Sequence, residues 1–378
     1  MIDTIIEAKV PEYRKIWEEI CNIESPTAYK PGVDAVGKYI TEWAKKKGFA
    51  VKSLPQEVSG DPLCITLNAD VDAAPIAMGA HMDTVHPVGT FGTPAVRVEG
   101  DMIYGPGVCD CKGCVTMGMM VLDVLKESGY RDRPVMLLVD SDEETGSMGS
   151  NKATINWMCQ QAKDAVAFFN IEAHTEGKAV MWRKGIARFR FTVSGKKAHS
   201  GACYVGANAI AQAAHMIIDL EQYKTPDGLT CNCGMISGGT TPNTVPGECT
   251  FVADFRCGTD EERQTAIDAA NRVCATEYVP GCSATWEQMS YRVAMPLVDR
   301  NLELLNKVNS ILESAGLTTL EVAFAQGGSD ANDATAHGIP AIDNLGIWGG
   351  NVHSNAEFAQ LDSLTPCTKR MVTIIKGM

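Results

Sequence analysis

Pro134-Val135-Met136-Leu137-Leu138-Val139 runs without a break into Asp140-Ser141-Asp142-Glu143-Glu144-Thr145-Gly146. The first six residues carry no charge, and a short apolar run of this kind predicts a strand buried on both faces. Four acids in the next five positions repel one another, so a group of cations must offset them if they converge. In open α/β sheets, ligands sit in the crevice beyond the carboxyl ends of the strands. This stretch therefore suggests a fold class and a place to look for chemistry.

Working outward, helical spacing of apolar residues predicts helices over Glu12–Cys21, Val33–Lys47, Lys112–Ser128 and Ala153–Gln161. Strands are expected at Ala50–Pro55, Cys64–Asp70, Ala74–Ala80 and Ala165–Ile171. This alternation predicts an α/β fold, a mixed and mostly parallel sheet flanked by helices. The pattern changes after Glu176. Strand Gly185–Val193, helix Asn208–Glu221, strands Cys231–Ser237 and Cys249–Arg256, helix Asp260–Glu277 and strand Ala284–Tyr291 form a compact, ferredoxin-like α+β layer. From Pro296 the α/β pattern returns, with helices at Asn301–Ala315 and Ser363–Lys376. The expected organisation is a discontinuous domain, 1–181 with 294–378, carrying an inserted domain, 182–293.

Composition narrows the function. The 378 residues exceed one average domain, and 45% apolar with 21% charged residues is a globular balance. The net charge of −13, with no block of Lys or Arg, argues against nucleic acid and anionic membrane as partners. One or two placed arginines still allow an anionic substrate. No apolar run reaches membrane-spanning length, and Met1–Glu18 lacks the apolar core of an export signal. The fourteen cysteines then read as reduced thiols in a cytoplasm.

Five separate places carry chemistry. His81 and Asp83, two apart after an apolar strand, share a face in extended chain, so Asp83 can orient His81 as a ligand; an incidental polar turn is the alternative. Asp110 lies among glycines at the start of a helix, where an N-cap is the plainer explanation. Glu143 and Glu144 point in different directions if extended, one toward a metal and the other toward substrate as general base, unless the loop is merely solvated. Glu172 follows a strand by two residues. His353 sits in a glycine-rich loop, where a lone histidine is usually a surface residue. Taken together, carboxylates and imidazoles at separate strand ends suit catalytic zinc, cobalt or manganese, and with one carboxylate shared they suffice for two ions.

These motifs resemble the metallopeptidase superfamily of glutamate carboxypeptidase, aminoacylase, acetylornithine deacetylase and succinyl-diaminopimelate desuccinylase. The resemblance spans nearly the whole chain. It rests on His81-Met82-Asp83, Gly107–Gly113 around Asp110, Glu143-Glu144, Glu172 and His353, with Asp110 29 residues after His81 and Glu144 34 after Asp110. Gly195–Gly201, Gly206–Ala209, Asn243–Pro246 and Asp254-Phe255-Arg256 are similar to the family's lid motifs, and Gly327–Asp330 with Gly338–Pro340 to its C-terminal signature.

The resemblance implies two divalent ions per chain, zinc first, bridged by Asp110. His81 and Glu172 would complete one site, and Glu144 and His353 the other. It makes Glu143 the general base, Asp83 the orienter of His81, and the Asp110–Cys111 bond cis. His199 would stabilise the oxyanion, while Asn243 and Arg256 hold substrate; Arg256 paired with Asp254 on the strand surface is the structural alternative. The inserted domain would serve as lid and as the surface of a homodimer. The implied reaction is hydrolysis of an amide bond beside a free carboxylate in a small peptide or N-acyl amino acid, by water activated between the ions. Biosynthetic deacetylase, desuccinylase and dipeptidase are alternatives, and a non-catalytic binding protein or a thiol hydrolase are remoter ones.

Two features depart from the family pattern. Cysteines flank Asp110 as Cys109-Asp110-Cys111-Lys112-Gly113-Cys114, read as small buried hydrophobes that could otherwise compete for metal. Glu172 is followed by Ala173-His174 where proline is usual, which leaves His174 as a substitute ligand. His86, His215 and His337 read as structural or surface residues.

Overall fold

The computed structural model describes residues 2–173 and 175–378. They form two compact units. The first comprises the described residues up to Trp182 with Leu297–Phe324 and Ser329–Met378; the second is Arg183–Pro296 with Ala325–Gly328.

The first unit is built on a six-stranded sheet in the spatial order Ala50–Ser53, Leu63–Leu67, Val135–Asp140, Ile76–His81, Ala167–Asn170, Ala341–Ile342. The last four run parallel, with His81 opposite Asp140 and Gly79 opposite Asn170. Leu63–Leu67 pairs antiparallel with both Ala50–Ser53 and Val135–Asp140. The opening stretch is thus an interior strand, and His81, Asp140 and Asn170 end three adjacent parallel strands on one edge of the sheet.

Helix Lys112–Glu127 is buried over Lys112–Leu125 and packs on this sheet beneath helices Ile2–Cys21 and Leu364–Gly377. Helices Ala153–Gln161 and Asp330–Ala336 pack on each other and against strands of the same sheet. Most element boundaries fall within a few residues of those expected. The N-terminal helix needs correction: it starts at Ile2 rather than Glu12 and passes through Pro11. An interior proline costs about 3 kcal/mol. Burial of Ile6, Tyr13, Ile16, Trp17 and Ile20 at helical spacing offsets it, at roughly 1.5–3 kcal/mol for each large apolar side chain. Helix Asp330–Ala336 and the short strands Arg97–Glu99, Met102–Tyr104, Lys178–Arg183 and Glu321–Ala325 had no counterpart in the sequence reading.

The second unit is a four-stranded antiparallel sheet in the spatial order Ser283–Arg292, Gly185–Ser194, Glu248–Cys257, Thr230–Gly238. In chain order this is 4-1-3-2, the ferredoxin-like arrangement. Gly185–Ser194 and Glu248–Cys257 alternate buried and partly exposed residues. One face buries Phe189, Phe191, Phe251 and Phe255 under helices Ala209–Leu220 and Asp260–Ala275, with Phe191 and Phe251 stacked at 4.5 Å. The opposite face carries Arg188, Arg190, Asp254 and Arg256.

Candidate metal centre

His81 closes its strand and is buried. Its Nδ1 lies 3.0 Å from the Asp83 carbonyl oxygen and 3.3 Å from Asp83 Oδ1, so the acceptors on Nδ1 turn Nε2 outward. That Nε2 stands 3.0 Å from Asp110 Oδ1 and 3.5 Å from Glu172 Oε1. The buried Asp83 carboxylate also accepts the backbone N–H groups of Glu143 and Glu144 at 3.2 Å each and the Thr27 hydroxyl at 2.7 Å. One carboxylate therefore orients the histidine and anchors the acidic loop.

The four acids of that loop do not converge. Asp140 accepts from the Ser141 and Asp142 amides, and Asp142 from the Ser150 amide and the Thr154 hydroxyl. Both fold their own loop. Glu143 and Glu144 enter a single 3-10 turn, Glu143–Thr145, closed by Gly146 in left-handed conformation. Glu144 Oε2 lies 3.2 Å from His353 Nε2, and the same nitrogen lies 3.2 Å from Asp110 Oδ2. His353 is 57% exposed in its side chain, as a loop histidine would be, yet its ring nitrogen faces two carboxylates.

Asp110 is not an N-cap. Helix Lys112–Glu127 is capped at Cys111 with no side-chain bond, which leaves the Asp110 carboxylate free to present Oδ1 to His81 and Oδ2 to His353. The Asp110–Cys111 peptide is cis. Gly107, at φ +75°, turns the loop where a side chain would meet Lys112 and Thr84. The loop is held from beneath. The buried Glu357 carboxylate accepts the backbone N–H groups of Gly107 (3.3 Å), Cys109 (2.9 Å) and Asp110 (3.0 Å), and lies 2.8 Å from His86 Nε2. The sequence reading missed Glu357; its one cue is its place four residues after His353. His86 has the structural role read for it.

Ligand atoms of His81, Asp110 and Glu172 lie within 4.8 Å of one another, as do those of Asp110, Glu144 and His353. Asp110 belongs to both groups. Burial pushes Glu144 up to about 8, and Glu172 likewise up to about 8. Burial also works against ionisation of Asp110, but hydrogen bonds from His353 and His81 outweigh it and hold that carboxyl below its usual range. The bonds to Asp110 and Glu144 raise His353 to about 10. For His81, burial is overcome by the Glu172 charge and the bonds to Asp110 and Asp83, so it too is raised. Such a cluster holds protons that a bound cation would displace, as metal sites do. Glu144 Oε1 adds a specific mark, since it is buried with no hydrogen-bond partner. The carboxylates and imidazoles, with the Cys111 thiol beside the His81 group, fit two divalent ions. His174 lies outside the described residues.

The remaining expected site residues belong to the second unit. His199 and Asn243 are neighbours there: the Ser200 amide donates to the Asn243 carbonyl at 2.9 Å, and His199 pairs with Thr244. Both side chains are exposed, and His199 Nδ1 accepts from the Gly201 amide at 3.1 Å. Arg256 donates to Asp254 through Nε (2.6 Å) and Nη2 (3.4 Å), while Arg188 takes the other side of the same carboxylate at 2.6 Å. This is the strand-surface pairing named as the structural alternative.

The fold and the strand-end cluster define the class as a hydrolytic metallopeptidase. The chain belongs to peptidase family M20/M25/M40, whose profile matches residues 77–377. It is 28% identical over 362 residues to carboxypeptidase G2 of Pseudomonas sp. (strain RS-16), covering 94% of this chain and 86% of that protein. It is 26% identical over 317 residues to acetylornithine deacetylase of Myxococcus xanthus, covering 78% and 77%. A tripeptidase from Staphylococcus aureus shares the fold with a TM-score of 0.81 at 22% identity, covering 97% of this chain and 98% of that one.

Proposed function

We propose that this chain is a two-metal amidohydrolase that cleaves the amide bond beside a free carboxylate in a small peptide or N-acyl amino acid. The observation that carries this reading is the Asp110 carboxylate, whose two oxygens face two separate sets of ligands. Relatives named as a carboxypeptidase and an acetylornithine deacetylase support the substrate class.

In this reading His81 and Glu172 would hold one ion and Glu144 and His353 the other, with Asp110 available to both. When bound, the ions lower the pKa of water and polarise the scissile carbonyl; zinc is the first expectation, with cobalt or manganese as alternatives. Glu143 accepts the proton of the attacking water and returns it to the leaving amine. Asp83 keeps His81 oriented and fixes the turn that carries Glu143. His199 donates to the developing oxyanion, a contribution typically worth a few kcal/mol. Asn243 and Arg256 hold the substrate carboxylate, for which Arg256 turns part of its planar fork away from Asp254.

The second unit serves as lid and homodimer surface. Its sheet ends in strand Thr230–Gly238, where Met235 is 69% and Ile236 56% exposed. Ile218 on helix Ala209–Leu220 is 66% exposed. An apolar open edge of this kind invites pairing with a second copy. No described helix is long and apolar enough to cross a membrane, and a reducing cytoplasm suits the fourteen cysteines.

The test is hydrolysis of N-acyl amino acids and of dipeptides ending in an acidic residue, before and after chelation. Chelator-sensitive release of a free amino acid is expected. Hydrolysis indifferent to chelation, or none after zinc, cobalt and manganese are added back, would contradict the proposal.

A further inference from the structure

The three cysteines around Asp110 are not equivalent. Cys109 and Cys114 pack against glycine backbone: a Cβ on Gly349 would stand 2.6 Å from Cys109 Sγ, and one on Gly346 2.5 Å from Cys114 Sγ. These two fill space that closes if either partner grows, as small buried hydrophobes do. Cys111 faces elsewhere. It is fully buried, and its Sγ lies within 4.8 Å of the ligand atoms of His81, Asp110 and Glu172. Its Sγ also lies 4.0 Å from the Ile171 carbonyl and near the Cys114 thiol, and the carbonyl contact is too long to bind a thiol firmly.

Bond lengths of about 2.0–2.3 Å to nitrogen, oxygen and sulfur place neighbouring ligands of one tetrahedral ion roughly 3–4 Å apart. His81 Nε2 is already 3.0 Å from Asp110 and 3.5 Å from Glu172. With Cys111 Sγ grouped among them, the candidate set has four donors, one nitrogen, two oxygens and one sulfur. The other set, Asp110, Glu144 and His353, has three donors, and its histidine is exposed.

Building on the metal centre proposed above, we propose that Cys111 is a sulfur ligand of the His81–Asp110–Glu172 half. That half is then closed and tuned to thiophilic ions such as zinc and cadmium over manganese, while the His353 half keeps an open position for substrate. Soft thiolate selects these ions, and four protein ligands mark a closed site where three mark an open one. The thiol gives its proton to solvent as the sulfur–metal bond forms; nothing is oxidised or reduced.

The experiment is titration of metal-free protein with Co2+, followed by absorption. Visible d–d bands report occupancy of the centre, and a near-ultraviolet thiolate-to-cobalt charge-transfer band reports the sulfur bond. The charge-transfer band is expected in wild type, Cys109→Ser and Cys114→Ser, and absent from Cys111→Ser. In competition, the preference for Cd2+ over Mn2+ should fall about tenfold or more in Cys111→Ser, comparable with known losses when a metal site is perturbed. Visible bands without the charge-transfer band in wild type, or with a band that survives Cys111→Ser, would overturn the sulfur ligand and leave the metal centre standing. Absence of any cobalt bands would overturn the metal centre itself. Should Cys111→Ser not fold, Cys111→Ala and the wild-type spectrum decide by the same criteria.

Discussion

The strand-end cluster of the first unit and the residues proposed to handle substrate in the second are built in opposite ways. His81, Asp110, Glu144 and Glu172 come from sheet ends or from loops pinned by buried carboxylates, and their ligand atoms fall into two groups, each within 4.8 Å, that share Asp110. His199, Asn243 and Arg256 lie on a loop and an open sheet face, and Arg256 is already engaged by Asp254. Preorganisation belongs to groups that must not move during the reaction. Groups that select and release substrate can exchange partners. Mutations should therefore divide into those that abolish the chemical step and those that change recognition.

The largest effect is expected for Glu143→Gln. kcat should fall by about 10²–10⁴-fold, the range for loss of a general acid–base group, with metal content by mass spectrometry unchanged. Near-normal turnover with full metal would remove Glu143 from its role. Arg256→Lys comes next. A bidentate fork is lost, and kcat/KM should fall about ten- to a hundredfold, as for a hydrogen bond to a charged group. Steady-state kinetics showing no change would leave Arg256 as the Asp254 partner alone and erase the contrast between the two regions.

Glu357→Gln should act on the first unit without touching substrate. It keeps shape and burial but weakens the acceptor of three loop amides, so Asp110 loses its anchor. Metal affinity measured by competition with a chelating dye should drop about tenfold. Unchanged affinity would mean that the loop holds itself.

The smallest effect is a pH trend in the metal-free protein. Glu144 and Glu172, each near 8 when folded and near 4.5 when free, bind more protons folded than unfolded between those values. His353, raised to about 10 from 6.5, contributes stability that is complete below 6.5 and lost as pH rises through 10. Both effects have the same sign, so melting temperature after chelation should fall by a few degrees from pH 5 to pH 9. Asp110, held below its usual range, contributes stability that is fully present across this pH span and is lost only on further acidification. Added zinc should reverse the trend, because it needs the carboxylates ionised and the imidazoles neutral. A flat or rising profile would contradict the cluster's electrostatics.

The fold is legible in the sequence where one physical demand dominates. The apolar run ending at Val139 had to be an interior strand, and the inserted βαββαβ pattern yielded the 4-1-3-2 sheet. The fold is least legible where several demands compete. Pro11 looked like a boundary because its local cost is visible in sequence, whereas the buried stripe that offsets it exists only after packing. Two- and three-residue strands such as Ala341–Ile342 are too short to show periodicity. Asp110 could be read as a cap or as a ligand until its carboxylate was seen between two imidazoles. Glu357 was invisible because its partners are backbone amides, which have no residue identity. The difference between Cys109, Cys111 and Cys114 depends on which way each thiol faces, and their adjacency in sequence conceals it.

The most direct test of the account is metal stoichiometry by native mass spectrometry on wild type and Asp110→Asn, each reconstituted with zinc. About two ions per chain are expected in wild type, as in two-metal sites generally, with both weakened together when the shared carboxylate is neutralised. One ion per chain in wild type, or a variant that loses one site and keeps the other at full affinity, would contradict the claim that Asp110 joins the two halves.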